Sequence, residues 1–191
     1  MAILARGPDE HGPQSQRMPL TLLLGGARSG KSTLALHRAS RSGPLVVFVA
    51  TGHAGDDEMA ARIARHRAER PAQWTTVEEP VELAGALAAC PTQACVIIDC
   101  LSLWVANVMG RDVGDREIER LAGEAATLAA GRRAPTIAVS NEVGMGVVPE
   151  HPLGRRYRDV VGRVNALWAV AASEALLVVA GRTLRLEEDA G

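Results

Sequence analysis

An apolar run at 20–24 leads straight into Gly25-Gly26-Ala27-Arg28-Ser29-Gly30-Lys31-Ser32, and a helical pattern opens at Thr33. Strand, glycine-rich turn and helix start together aim backbone N–H groups and a helix dipole at one anionic point. Gly25 and Gly30 let the chain curl where a Cβ would obstruct it. In such a phosphate-binding loop Lys31 reaches the β/γ-phosphates, while Ser32 offers its hydroxyl to Mg²⁺. The same spacing occurs by chance in an ordinary tight βα turn, but the flanking strand and helix favour a nucleoside triphosphate as ligand.

The rest of the chain alternates. Short β-branched or apolar runs at 45–50, 95–99, 136–140 and 175–180 read as buried strands. Helical patterns at 56–70, 81–89, 116–130 and 153–173 separate them, and 183–186 reads as a terminal edge strand. This is the pattern of an α/β P-loop NTPase, RecA-like in class, with a mostly parallel sheet and helices on both faces. Ligands in such sheets meet the carboxyl ends of the strands. Asp99 closes the apolar run at 95–99, where a carboxylate can hold Mg²⁺ directly or through water, or can cap the following helix.

With 191 residues and 47% apolar composition, one domain over 18–191 is expected. Residues 1–17, rich in Gly, Pro, Gln and charge and without periodicity, read as a disordered extension. A net charge of −1 and only 3% aromatics argue against a nucleic-acid surface. No run is long and apolar enough for a membrane span or a signal peptide, which points to the cytoplasm. Cys90, Cys95 and Cys100 are odd in number and lack paired zinc spacing, so they read as buried thiols.

Between 56 and 70, His66 sits among Arg62, Arg65, Arg67 and Arg70. Histidine can attack phosphorus to form a phosphoramidate, with arginines balancing the charge of the transferred group and of the leaving pyrophosphate. The same arrangement also suits a solvated helix face. On 155–163, Arg155, Arg156, Arg158 and Arg163 could meet phosphate, a neighbouring subunit or only water. His37 and His151 have no evident chemistry, and Trp74, Trp104 and Trp168 read as packing or interface residues.

GGARSGKS at 25–32, DDEMAARIARHRAERPAQW at 56–74 and NEVGMGVVPEHPLGRRYRDVVGRVN at 141–165 together resemble the bifunctional adenosylcobinamide kinase/adenosylcobinamide-phosphate guanylyltransferases of cobalamin biosynthesis. The resemblance implies an enzyme that phosphorylates adenosylcobinamide with ATP or GTP. It then transfers GMP from GTP to that phosphate, releasing pyrophosphate and giving adenosylcobinamide-GDP. By the family's motif, the histidine that carries GMP covalently is His66. Some members have a second histidine where this chain has Arg65.

The likeness also assigns nucleotide contacts to Thr51, Gly52 and His53, to Ala68, Glu69, Arg70 and Pro71, and to Glu78 and Asp99. Gly52 and His53 depart from the family's side chains, which points to backbone contacts there, and Glu79 leaves the Glu78 register open by one. The resemblance makes 141–149 a loop that shapes the site for the corrinoid or the nucleotide, with Glu142 as a polar contact. It further implies a homotrimer. Two rival readings are a kinase-only P-loop transferase and a nucleotide-gated binding protein; both would lack a GMP-labelled histidine.

Overall fold

The computed structural model describes residues 20–53, 61, 64, 67–68 and 70–187. Seven strands form one sheet: β1 (Leu20–Gly25), β2 (Val46–Ala50), β3 (Thr75–Glu78), β4 (Cys95–Asp99), β5 (Thr136–Asn141), β6 (Glu174–Val179) and β7 (Arg182–Leu186). Their spatial order is β3-β2-β4-β5-β1-β6-β7. Every neighbouring pair is parallel except β6 and β7, which form an antiparallel hairpin. The helices are α1 (Lys31–Ser40), α2 (Leu83–Ala89), α3 (Leu101–Met109), α4 (Asp115–Ala130) and α5 (Pro152–Ala171).

Because strand side chains alternate between faces, successive residues of one strand enter different cores. Val96 and Ile98 of β4 join one core with Leu83, Trp104, Ile118, Val164 and Trp168 from α2 to α5. Cys95 and Ile97 of the same strand join the other, with Ala35 and Ala39 of α1. The expected parallel α/β sheet with helices on both faces is therefore present, and its burial explains the near-continuous apolar strands. The distribution is uneven among the described helices: four pack on one face, and α1 packs on the other.

Two elements differ from the sequence reading. β3 was not expected, because Thr75–Glu78 is short, half exposed and one-sided at the sheet edge, where burial leaves no apolar run. α3 was not expected either. Its residues Leu101, Trp104, Val105, Val108 and Met109 are all buried, and a helix apolar nearly all round has no amphipathic period to detect. The helix expected over 56–70 falls largely outside the described residues, as do residues 1–17.

The arginines of α5 are engaged within the chain. Arg156 pairs with Asp115 at 2.7 Å and donates to the Val113 carbonyl, and Arg163 pairs with Asp115 and Glu119. These contacts tie α5 to the start of α4 and hold the Asp115 carboxyl below its ordinary range, chiefly through the Arg156 hydrogen bond. Arg155 donates to the carbonyls of Pro149 and Glu150, and Arg158 pairs with Asp159. Trp104 and Trp168 are buried packing residues, with Trp104 Nε1 donating to the Val81 carbonyl.

Candidate active site

All five parallel strands that carry expected site residues end on one edge of the sheet. β1 delivers residues 25–32, β2 delivers Thr51, Gly52 and His53, β3 ends at Glu78, β4 at Asp99 and β5 at Asn141. A single strand, β5, separates the loop-bearing β1 from the Asp99-bearing β4.

The loop is built around Lys31, which is only 6% exposed and so has its ammonium committed to the loop interior. Lys31 Nζ donates to the carbonyls of Gly25 at 2.8 Å and Gly26 at 2.7 Å, and to Ser29 Oγ at 3.3 Å. The Gly25 carbonyl also accepts from Glu142 N at 3.0 Å, which ties the loop to the end of β5. At the start of α1 the N-cap is Gly30, with φ of 100° and no side chain to cap it. The first N–H groups of α1 therefore face the loop interior as donors for an anion.

Gly25 is fixed by two independent constraints. Its φ is +151°, and a Cβ there would lie 2.2 Å from the Val178 carbonyl oxygen of neighbouring β6. Backbone cannot rotate away as a side chain can. Gly25→Ala is expected to cost about 1–3 kcal/mol through overpacking and a similar amount through backbone strain. The expected result is a fall of roughly 5–20 °C in Tm with loss of nucleotide binding, measured by calorimetry on the purified variant.

Thr51, fully buried, braces the neighbouring strand ends. Its Oγ1 donates to the Cys100 carbonyl at 2.7 Å and accepts from Cys100 N at 2.8 Å, while its N–H donates to the Asp99 carbonyl at 3.1 Å. Asn107 of α3 donates to the Thr51 carbonyl at 2.7 Å and to that of Pro80 at 3.1 Å. Sequence reasoning missed Asn107 because α3 itself was missed. A polar residue on an otherwise apolar stretch, a feature it shares with Ser102, was the available signal.

Asp99 is half-buried, and the N-cap of α3 is Cys100, without a side-chain cap. The capping alternative for Asp99 is thus not what the helix start shows. Its charge acts on Arg70: burial pulls the Arg70 pKa down, and Asp99 opposes that shift. Arg70 lies over the Phe48 ring at 3.6 Å and donates to Thr76 Oγ1. Burial pushes the neighbouring Cys100 thiol up to about 11, which keeps it neutral near pH 7. Cys90, Cys95 and Cys100 are all free and buried, as expected.

Glu78 and Glu79 have different partners. Glu79 Oε1 accepts from the N–H groups of Val81 and Glu82, so it organises the turn before α2. Glu78 ends β3 and pairs with Arg67 at 3.2 Å. Ala68 and Pro71 lie just ahead of β3, and Ala68 is exposed. The Glu142 carboxylate accepts from the Gly144 N–H within its own loop. His66, Glu69, Arg62 and Arg65 lie outside the described residues.

Ser32 and Asp99 are both hard oxygen donors at the same sheet edge, the donor type that Mg²⁺ selects. Magnesium commonly takes one or two protein oxygens and completes its shell with water and substrate phosphates, so this pair fits the ion.

The model of the family described as cobinamide kinase / cobinamide phosphate guanyltransferase matches residues 21–186, nearly the whole of this fold and its loop. The chain belongs to that family. It is 44% identical over 173 residues to the bifunctional adenosylcobalamin biosynthesis protein CobP of Pseudomonas aeruginosa, covering 87% of this chain and 96% of that one. It is 39% identical to the CobU protein of Salmonella typhimurium and 38% identical to that of Escherichia coli. Each of those alignments covers 88% of this chain and 99% of the relative, so no large catalytic part of either lacks a counterpart here. The family's two activities are those of a kinase and a guanylyltransferase, which places the chain among the transferases. Among the described residues, no helix is long and apolar enough to cross a membrane.

Proposed function

We propose that the protein phosphorylates the aminopropanol hydroxyl of adenosylcobinamide with ATP or GTP, and then transfers GMP from GTP to the new phosphate through His66. The observation that carries this reading is the preformed loop in a chain of this family: Lys31 is held on Gly25 and Gly26 carbonyls at the N-terminus of α1. Such a loop supplies charge and orientation but no nucleophile. A chain that also forms a covalent intermediate needs a separate group, and the family motif gives that role to His66.

In the kinase step the corrinoid hydroxyl oxygen attacks the γ-phosphorus in line, the bond from that phosphorus to the bridging oxygen breaks, and the hydroxyl proton is released to solvent. Lys31 and the loop amides stabilise the charge on the phosphate oxygens, and the nucleoside diphosphate leaves. In the guanylyl step the neutral imidazole of His66 attacks the α-phosphorus and pyrophosphate leaves, giving a phosphoramidate. An oxygen of the corrinoid phosphate then attacks that phosphorus and frees His66. Neighbouring Arg62, Arg65 and Arg67 disfavour imidazolium and so keep the nucleophile's lone pair available.

Nucleotide contacts are assigned to residues 25–32, to Thr51, Gly52 and His53, to Ala68, Glu69, Arg70 and Pro71, and to Glu78 and Asp99. The delivery of residues 25–32, Thr51, Gly52, His53, Glu78 and Asp99 to one sheet edge by β1, β2, β3 and β4 supports the assignment. Ser32 and Asp99 would hold Mg²⁺, which when bound supplies positive charge to the phosphates. Residues 18–191 are read as one cytoplasmic catalytic unit that assembles as a homotrimer by family likeness.

Incubation with GTP labelled in its α-phosphate, followed by peptide mapping, tests the reading directly. An acid-labile GMP adduct on the peptide containing His66 is the expected result. A chain that binds GTP and phosphorylates the corrinoid without any adduct would be a kinase-only transferase. Asp99→Asn is a second test: the variant should fold normally and need several-fold more Mg²⁺ for half-maximal turnover, since an amide is a weaker ligand than a carboxylate. Unchanged magnesium dependence at unchanged rate would remove Asp99 from the metal.

A further inference from the structure

The β6–β7 hairpin turns against the phosphate loop. Val179 pairs with Arg182, so the connection is the two residues Ala180 and Gly181, with φ of 50° and 74°. Two consecutive positive φ values are the signature of the tight turn that matches strand twist. β6 runs parallel to β1, so this turn lies on the edge where β1 delivers its loop. There Gly181 N donates to the Ser29 carbonyl at 2.8 Å. The fit is close: a Cβ on Gly30 would lie 3.4 Å from Gly181 Cα.

Ser29 C=O and Gly30 N–H belong to one planar trans peptide, in which the oxygen and the hydrogen point in opposite directions. A carbonyl turned toward Gly181 therefore commits the Gly30 N–H to the opposite side. The reverse orientation would present an oxygen lone pair to an arriving phosphate and repel it. A flexible residue at position 30 leaves that reversal sterically open, because glycine populates both signs of φ. Ser29 is otherwise held by an amide contact to the Gly26 carbonyl at 3.4 Å and by the 3.3 Å contact from Lys31, both near the long end for such bonds. The Gly181 bond is the short one.

We propose that the Ala180–Gly181 turn is a positioning element of the nucleotide site, and that the Gly181 N–H fixes the Ser29–Gly30 peptide in the orientation that receives the β/γ-phosphates. This rests on the reading of residues 25–32 as a triphosphate site. The last hairpin of the chain is then part of the phosphate site as well as the end of the sheet.

Replacing Gly181 by glycolic acid through nonsense suppression turns the amide into an ester, which deletes the N–H and preserves the turn. Calorimetric titration should show MgGTP and MgATP binding weakened about three- to ten-fold, the loss of one hydrogen bond. GMP, which lacks the β/γ-phosphates, should bind as it does to the parent protein. Gly181→Asn, which tolerates positive φ and keeps the N–H, should retain triphosphate affinity, and Gly181→Val should lose it. Unchanged triphosphate affinity in the ester variant overturns the proposal. So does an equal loss for GMP and GTP, which would mean a general structural contribution. Failure of the parent protein to bind either triphosphate overturns the nucleotide reading itself and the proposal with it.

Discussion

His66→Ala is expected to abolish the GMP-enzyme, because alanine has no lone pair with which to attack the α-phosphorus. Guanylyl transfer should fall by at least about 10³-fold, the scale seen when a covalent route loses its nucleophile. Kinase activity should survive in substantial part. Transfer to the corrinoid hydroxyl is a direct in-line displacement, for which positioning and charge stabilisation suffice. Lys31 and its three loop contacts, which supply those, are untouched by the change. Two assays on one preparation check this: corrinoid phosphorylation from ATP, and acid-labile label retained from α-labelled GTP. Labelled GMP still attached to the His66→Ala protein would move the nucleophile to His53 or to a residue outside the motif.

The loop was legible in the sequence because its conformation is written locally: Gly25, Gly30 and Lys31 each occupy a position that only their residue type serves. Strands β2, β4, β5 and β6 were legible because a parallel sheet covered on both faces makes them continuously apolar. What the sequence hid is pairing across distance. Arg156 and Arg163 are an exposed basic pattern until Asp115 and Glu119, on another helix, are set opposite them. Nothing local to Gly181 says that its N–H reaches Ser29. That Glu79 bonds the amides of Val81 and Glu82 was likewise hidden. Residues whose role is set by their own backbone conformation can be read from sequence; residues whose role is set by a partner cannot.

Lys31→Ala is expected to impair both half-reactions, lowering kinase turnover roughly 10²–10³-fold as a preorganised charge is removed from the phosphates. The two activities should fall together, in contrast to their separation in the His66 variant. In the proposed mechanism both use a triphosphate seated in this loop, and no other described side chain donates to both the Gly25 and Gly26 carbonyls. Gly25 O, Gly26 O and Ser29 Oγ of the loop accept from the ammonium. Of these contacts the one to Ser29 Oγ, at 3.3 Å, is the longest and so the least costly to exchange for a phosphate oxygen. On the proposed mechanism that exchange would let Lys31 keep its contacts to Gly25 and Gly26 while it meets a phosphate oxygen. The overall fold should persist, because the residues of both cores lie elsewhere. Circular dichroism and Tm establish folding, and initial rates for each half-reaction establish the loss. A folded Lys31→Ala protein that phosphorylates adenosylcobinamide at the parent rate would show that the γ-phosphate is handled by some other part of the molecule.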